Sequence, residues 1–205
     1  MPASRVSHAL ACLAGSAAVA ALVVLGAATA APPVRSVEQL DMQRFAGTWY
    51  EVSRVPNALQ ARCLGDATST YRPLTDGTLR LIQRCREADD RWGVAVGRMV
   101  AIDGDPSGAR LRVNYLPGWL AWWPSTHDEH WVVLLDDDYR HAVVSDPLRQ
   151  TLWILSRTPS LDVRTYADIV ARLRAQKYPV DRLVVTPQHA GPPLPSLAAR
   201  PPLMV

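Results

Sequence analysis

His127, Asp128, Glu129 and His130 form the densest run of potential metal ligands in the chain. Two imidazoles at i and i+3 meet on a helix, and with carboxylates beside them they resemble a metal-ligand cluster. This run, however, reads as a loop entering a strand, and Trp131 beside it has a core role, so no metal is expected. His141, Ser145 and Asp146 supply the residue types of a hydrolase triad. They fall within one strand end and its turn, and no nucleophile-elbow motif accompanies them. Asp136–Asp138 reads as a solvated turn. Glycine-rich phosphate cradles and CxxC pairs are absent. No catalytic residue and no cofactor are expected. Glu51 is the one residue placed to move a proton if the chain were an enzyme.

The elements that position these residues are short. The 205 residues are 48% hydrophobic and 20% charged, enough for one domain with a core of its own. Composition excludes a collagen, a coiled coil and a largely disordered chain. The net charge is +3 and Lys177 is the only lysine. The arginines are scattered rather than gathered in the stripe that nucleic acid requires, so no nucleic-acid partner is expected. Period-two alternation predicts strands over Thr48–Val55, Ala67–Arg72, Thr78–Cys85, Val94–Ile102, Arg110–Tyr115, His130–Leu135, His141–Val144 and Thr151–Arg157. Turn residues separate them, as in Thr75-Asp76-Gly77 and Asp146-Pro147. Eight strands joined by short loops favour an antiparallel up-and-down sheet, best closed into a barrel so that no edge is left. Asp162–Lys177 then reads as one amphipathic helix, with Asp162 as N-cap and Pro179 as terminator. Arg182–Thr186 reads as a short ninth strand.

The ends read differently. Residues 1–30 carry Arg5, an apolar run and a small-x-small ending at Ala28-Thr29-Ala30, the pattern of a secretory signal peptide. An uncleaved anchor is the alternative, since Ala9–Ala28 is long enough to span a bilayer. Residues 31–36 read as a linker and 37–188 as the folded domain. Residues 189–205 are proline-rich, and a disordered tail is expected there.

Three signatures occur in order along this framework: Gly47-Thr48-Trp49-Tyr50-Glu51-Val52, Tyr139-Arg140-His141-Ala142-Val143-Val144-Ser145-Asp146-Pro147, and Leu152-Trp153-Ile154-Leu155-Ser156-Arg157-Thr158-Pro159. With the helix that follows, they resemble the lipocalin family, in particular its bacterial branch similar to apolipoprotein D. One departure is Ser-Asp-Pro where many lipocalins have a Thr-Asp-Tyr type triplet. The resemblance implies an all-β fold: an eight-stranded antiparallel up-and-down barrel with one C-terminal α-helix and a short ninth strand. It implies that Gly47, Trp49 and Arg157 close the barrel floor, with the guanidinium over the indole. It also implies binding, transport or storage of small hydrophobic molecules, with fatty acids or lysophospholipids foremost, in the periplasm or at the periplasmic face of the outer membrane. An enzyme on the same barrel, an isomerase or hydrolase of lipophilic substrates, is the alternative.

In such a barrel the loops alternate between floor and mouth. That brings Cys63 and Cys85 to the mouth, where an exported protein oxidises them; a free pair of buried thiols is the alternative. The loop Pro117–Glu129 also reaches the mouth and carries Trp119, Trp122 and Trp123. These suit a gate that touches lipid or, alternatively, a plug folded into the barrel. Alternation from Trp49 assigns the cavity lining to Glu51, Ser53, Ser69, Tyr71, Leu81, Gln83, Val94, Val96, Leu111, Val113, Tyr115, Trp131, Val133 and Trp153. The resemblance supports Tyr71, Gln83 and Trp153 in particular. Such a lining suits a chain-like or flat amphiphile.

Overall fold

The computed structural model describes residues 31–116 and 127–189. Eight strands run antiparallel: β1 (Gly47–Arg54), β2 (Gly65–Pro73), β3 (Leu79–Arg86), β4 (Trp92–Ala101), β5 (Arg110–Asn114), β6 (His127–Leu135), β7 (His141–Ser145) and β8 (Leu152–Ser156). Each pairs with the next, and β8 returns to β1, so the sheet closes. A ninth strand, β9 (Val184–Val185), completes the seam. β1 lies on β2 through Gly47↔Tyr71 to Tyr50↔Thr68, and then on β9 through Ser53↔Val185 and Arg54↔Val184. The gap opening between β1 and β2 is bridged by Gln188, whose Nε2 donates to the carbonyls of Glu51 (2.7 Å) and Ala67 (3.0 Å).

β9 is shorter than the sequence predicts because Val180–Arg182 closes into a single 3-10 turn. The folded contacts also run one residue past the expected boundary at 188: the His189 N–H donates to Asp66 Oδ1 at 2.6 Å. The expected signal peptide and residues 190–205 of the expected tail lie outside the described residues.

Two short-range signals set the helices. Asp41 caps α1 (Met42–Phe45) by accepting from the N–H groups of Gln43 and Arg44, and Asp162 caps α2 (Val163–Ala175) by accepting from Thr165. Arg172 and Arg174 occupy the last turn of α2, where positive charge suits the helix dipole.

The strands bury both faces, producing two cores. Inside the barrel, Phe45, Trp49, Tyr71, Leu81, Met99 and Val113 pack together. Outside it, Ile169 and Leu173 of α2 pack on Leu134, Val143, Leu152 and Ile154. The expected linker at 31–36 is part of this outer layer. Val34 is buried there, and Arg149 donates to the Pro32 carbonyl. The residue after that segment, Val37, donates its N–H to Val132 O at 2.8 Å. Its apolar side chains find a core, so the segment straps the barrel instead of tethering it.

Candidate functional site

The floor is sealed. The Trp49 ring is fully buried, and its Nε1 donates to Phe45 O at 2.9 Å. The Arg157 guanidinium lies 3.7 Å from the Trp49 ring centroid. It donates to the carbonyls of Arg44 (2.7 Å), Phe45 (3.2 Å), Ala46 (3.0 Å) and Thr48 (3.0 Å). Gly47 permits this approach: its φ is +98°, and a Cβ there would stand 3.3 Å from Arg157 Nη1. Above the floor, Tyr71, Leu81, Leu111 and Val113 point inward as expected but are packed into the inner core. Tyr71 stacks edge-on against Phe45 at 4.9 Å. Burial raises its phenol pKa well above the usual value.

Five of the expected lining residues face the other way. Val94 and Val96 are 58% and 44% exposed on the outer face of β4. Between Val94 and Val96 and just beyond, the inward positions of β4 are the small Ala95 and Gly97, because Tyr115 and Val113 fill the space opposite. A Cβ at Gly97 would meet Val113 Cγ1 at 2.8 Å and the Tyr115 ring at 3.1 Å. Trp131 and Val133 pack with the outer core. Trp131 stacks under Arg110 at 4.5 Å and donates to Glu129 Oε2 at 2.9 Å, so an outward tryptophan has both apolar and polar partners. The inward residues of β6 are His130 and Val132, and a register shift between Val132 and Leu134 resets the phase. Ser53 is turned out by a second shift, between Glu51 and Ser53. Its hydroxyl donates to Val184 O (2.9 Å) and lies 3.2 Å from Tyr166 Oη of α2.

Toward the mouth the interior becomes polar. Glu51 is 2% exposed and both its oxygens are occupied. Oε1 accepts from Arg54 Nη1 (2.7 Å) and Thr186 Oγ1 (2.5 Å), and Oε2 accepts from Gln60 Nε2 (2.6 Å). Gln60 belongs to a 3-10 turn, Ala58–Gln60, that dips into the barrel. Its Oε1 accepts from Trp153 Nε1 at 2.7 Å. Ser69 is buried and pairs in register with Gln83, whose Oε1 accepts from Tyr115 Oη at 2.8 Å. Sequence reasoning missed Arg54 and Gln60; an arginine at the end of an apolar strand was the available signal for the first.

Cys63 and Cys85 are disulfide-bonded, with a Cα–Cα separation of 5.5 Å. The bond ties the Ala58–Gln60 loop to β3 and borders a cavity of about 200 Å³ that also takes in Gln83 and Ala95. Reduction removes about 3 kcal/mol of stability by the loop-entropy argument. Urea unfolding with and without reductant measures this; an unchanged midpoint would exclude a structural role for the bond.

A larger cavity of about 490 Å³ lies on the other side of that turn. Asn57, Leu59, Asp128, His130, Asp146 and Trp153 are among its lining residues. The His130 ring sits 4.9 Å from that of Trp153 and is 3% exposed. Burial pulls its pKa down from 6.5 to about 4, against the pull of Asp146. The imidazole is therefore neutral in the fold and takes a proton more readily when unfolded. Its contribution to stability is whole above pH 6.5 and is lost as pH falls toward 4. The loss amounts to about 3 kcal/mol at the low end. Asp66, Asp76, Asp105, Asp136 and Asp162, held below the usual carboxylate range, release their stability at lower pH. Asp128 acts oppositely: burial and Asp146 raise its pKa, so its ionisation costs stability as pH rises. Denaturation midpoints from pH 7 to 4.5 should slope for the native chain and flatten for His130→Gln. Equal slopes would disprove the assignment to His130.

The remaining residues that suggested chemistry are dispersed. His141 lies at the floor end of β7, 3.8 Å from Asp136, while Ser145 at the other end donates to Thr151 O at 2.6 Å. Among the described residues no group of three or more His, Cys, Asp and Glu side chains converges as a metal site. Trp119, Trp122 and Trp123 lie outside the described residues.

A closed antiparallel barrel, sealed by an arginine-capped tryptophan and hollow at the mouth, defines a small-molecule-binding β-barrel. A lipocalin-like domain family matches residues 40–188. Temperature-induced lipocalin-1 of Arabidopsis thaliana is 34% identical over 158 residues, 77% of this chain and 84% of the relative. The outer membrane lipoprotein Blc of Citrobacter freundii is 32% identical over 172 residues, 82% and 92% of the two chains. The chain belongs to the lipocalin family. Among solved structures, insecticyanin from the tobacco hornworm Manduca sexta shares the fold with a TM-score of 0.60 at 14% identity, covering 78% of this chain and 86% of its own. The cockroach allergen Per a 4 does so with a TM-score of 0.57 at 18% identity, covering 73% and 89%. Members of this family are mostly binding proteins.

Proposed function

We propose that this protein is exported and binds and carries chain-like hydrophobic molecules in the bacterial cell envelope, in the periplasm or at the periplasmic face of the outer membrane. The observation that carries the reading is the mouth cavity of about 490 Å³ above a filled, sealed floor. That volume lies within the range of small-ligand sites. The outer-membrane relatives support an envelope location. Each methylene buried there contributes about 0.8 kcal/mol, offset in part by the cost of ordering and association. The barrel is read as a carrier without catalytic activity. Glu51, the one buried carboxylate suited to proton transfer among the described residues, has both oxygens committed to Arg54, Thr186 and Gln60. Trp119, Trp122 and Trp123 are assigned to contact with lipid at the mouth.

Native mass spectrometry of protein purified from its own envelope tests the reading. A co-purifying amphiphile is expected, together with saturable rebinding after delipidation. Empty protein that binds no acyl-chain probe would refute it. For the tryptophans, the Trp122→Ser/Trp123→Ser variant should partition less onto liposomes; unchanged partitioning removes the membrane contact. Turnover of a lipophilic ester or isomerisable substrate that Glu51→Gln abolishes would make the protein an enzyme.

A further inference from the structure

The mouth cavity is acidic in a chain that is basic. Asp128, Glu129 and Asp146 line it, and among the described residues no lysine or arginine does, although the whole chain carries +3. Elsewhere carboxylates sit on arginines: Glu51 on Arg54, Asp66 on Arg86, Asp76 on Arg98, Asp136 on Arg140. Asp128 has no such partner. Two residues before inward-facing His130 on the same strand, it shares that face. Among the described residues its carboxylate makes neither a hydrogen bond nor an ion pair. Asp146 accepts from the N–H groups of Leu148 and Thr151 and from Thr151 Oγ1. Those neutral donors orient its charge without cancelling it.

A second observation is independent of the acids. His130 is 3% exposed and lines the same cavity, and neither ring nitrogen has a hydrogen-bond partner among the described residues. A neutral imidazole has one nitrogen that accepts, and here that acceptor belongs to a ring in the cavity wall beside Trp153. Unpaired carboxylate charge next to an unpaired acceptor complements a group that is positive and carries several N–H donors. A carboxylate in the same place meets repulsion and, among the described residues of the wall, has no cation to receive it.

We propose that the mouth cavity selects amphiphiles headed by a protonated primary amine, held by Asp128, Asp146 and His130, and rejects free carboxylates. This rests on the carrier reading and narrows its ligand class. A free alkylamine and an aminoethyl lipid head present the same ammonium. The apolar chain leads past Leu59 and Trp153.

The test is calorimetric titration of delipidated protein at pH 7 with four ten-carbon probes: decylamine, decanol, decanoate and decanoyl lysophosphatidylethanolamine. Decylamine is expected to bind at least tenfold tighter than decanoate, with decanol between them. The lysophospholipid reports the source: tighter than decylamine means a lipid head, weaker means a free amine, and either supports an ammonium site if both exceed decanol. Asp128→Asn, a change at the exposed rim, should lower decylamine affinity at least fivefold and leave decanol unchanged. Decanoate binding as tightly as decylamine, or an Asp128→Asn variant with unaltered preference, overturns the inference while decanol binding keeps the carrier reading. Failure of all four probes, decanol included, overturns both.

Discussion

Trp49→Ala is expected to destabilise the barrel by about 3–5 kcal/mol, the range for truncating a fully buried large aromatic. The ring is fully buried between Phe45, 5.0 Å away by ring centroid, and the Arg157 guanidinium. Removing it leaves a cavity where floor and inner core meet, and strands fixed in a closed sheet have little freedom to collapse into it. Arg157→Ala removes the other half. Five carbonyls, those of Arg44, Phe45, Ala46, Thr48 and Tyr139, lose their donor. Hydrogen bonds to a charged donor contribute about 1.5–3 kcal/mol each before relaxation and water offset much of the sum. Arg157→Lys should recover only part of the loss, because a point ammonium cannot reach several carbonyls with the geometry of a planar fork. Chemical unfolding of the three variants measures these values. A Trp49→Ala cost below about 1 kcal/mol would mean that the floor contributes little to closure. The two single losses should not add, since each removes the partner of the other.

The floor was legible through the family resemblance, whose signatures there are local and typed. A Gly-x-Trp at the start of a strand and an arginine at the end of another have few other reasons to occur in that order. The strand phases were harder to read. Alternation in β4 favours Val94 and Val96 as the apolar face, and it is the apolar face, yet it points out. The barrel interior at that height takes only Ala95 and Gly97, since Val113 of β5 and Tyr115 just after it fill the space opposite. Hydrophobicity records which face is apolar, not which side has room. Trp131 misleads similarly: an arginine above it and a glutamate on its indole nitrogen make an outward tryptophan stable. In β1 the phase holds through Glu51, and the register shift before Ser53 then reverses it. A slip of one residue turns the whole remainder of a strand over, and nothing in Val52-Ser53-Arg54 announces it. His130, which looked like the start of a strand leaving a loop, is the residue that brings the mouth cavity its buried acceptor.

Glu51→Ala should cost about 3–5 kcal/mol, the range for breaking a buried pair from one side. Arg54 keeps its charge in a site where its side chain is 12% exposed and loses its counter-ion. Its Nη2 bond to Cys63 O, 3.0 Å long, remains but is not a charge partner. Gln60 loses the acceptor that holds its amide in the barrel, while Trp153 Nε1 still depends on the other end of that amide. The damage therefore spreads from the seam to the cavity wall, and ligand affinity should fall along with stability. Replacing both charges tests the cause. Glu51→Leu/Arg54→Leu removes the unpaired ion together with its partner, and buried pairs exchanged for apolar residues are often neutral or better. The double variant should recover most of the single variant's loss in thermal unfolding. Its mouth should still bind ligand less well, because the Gln60 amide nitrogen is left without its acceptor. If the double variant is no more stable than Glu51→Ala, the cost lies in lost packing at the seam rather than in a stranded charge. Recovery of stability without recovery of binding would identify the network's second role: it fixes the turn that divides the two mouth cavities, so the residue that looked most like a catalytic base instead shapes the ligand's entrance.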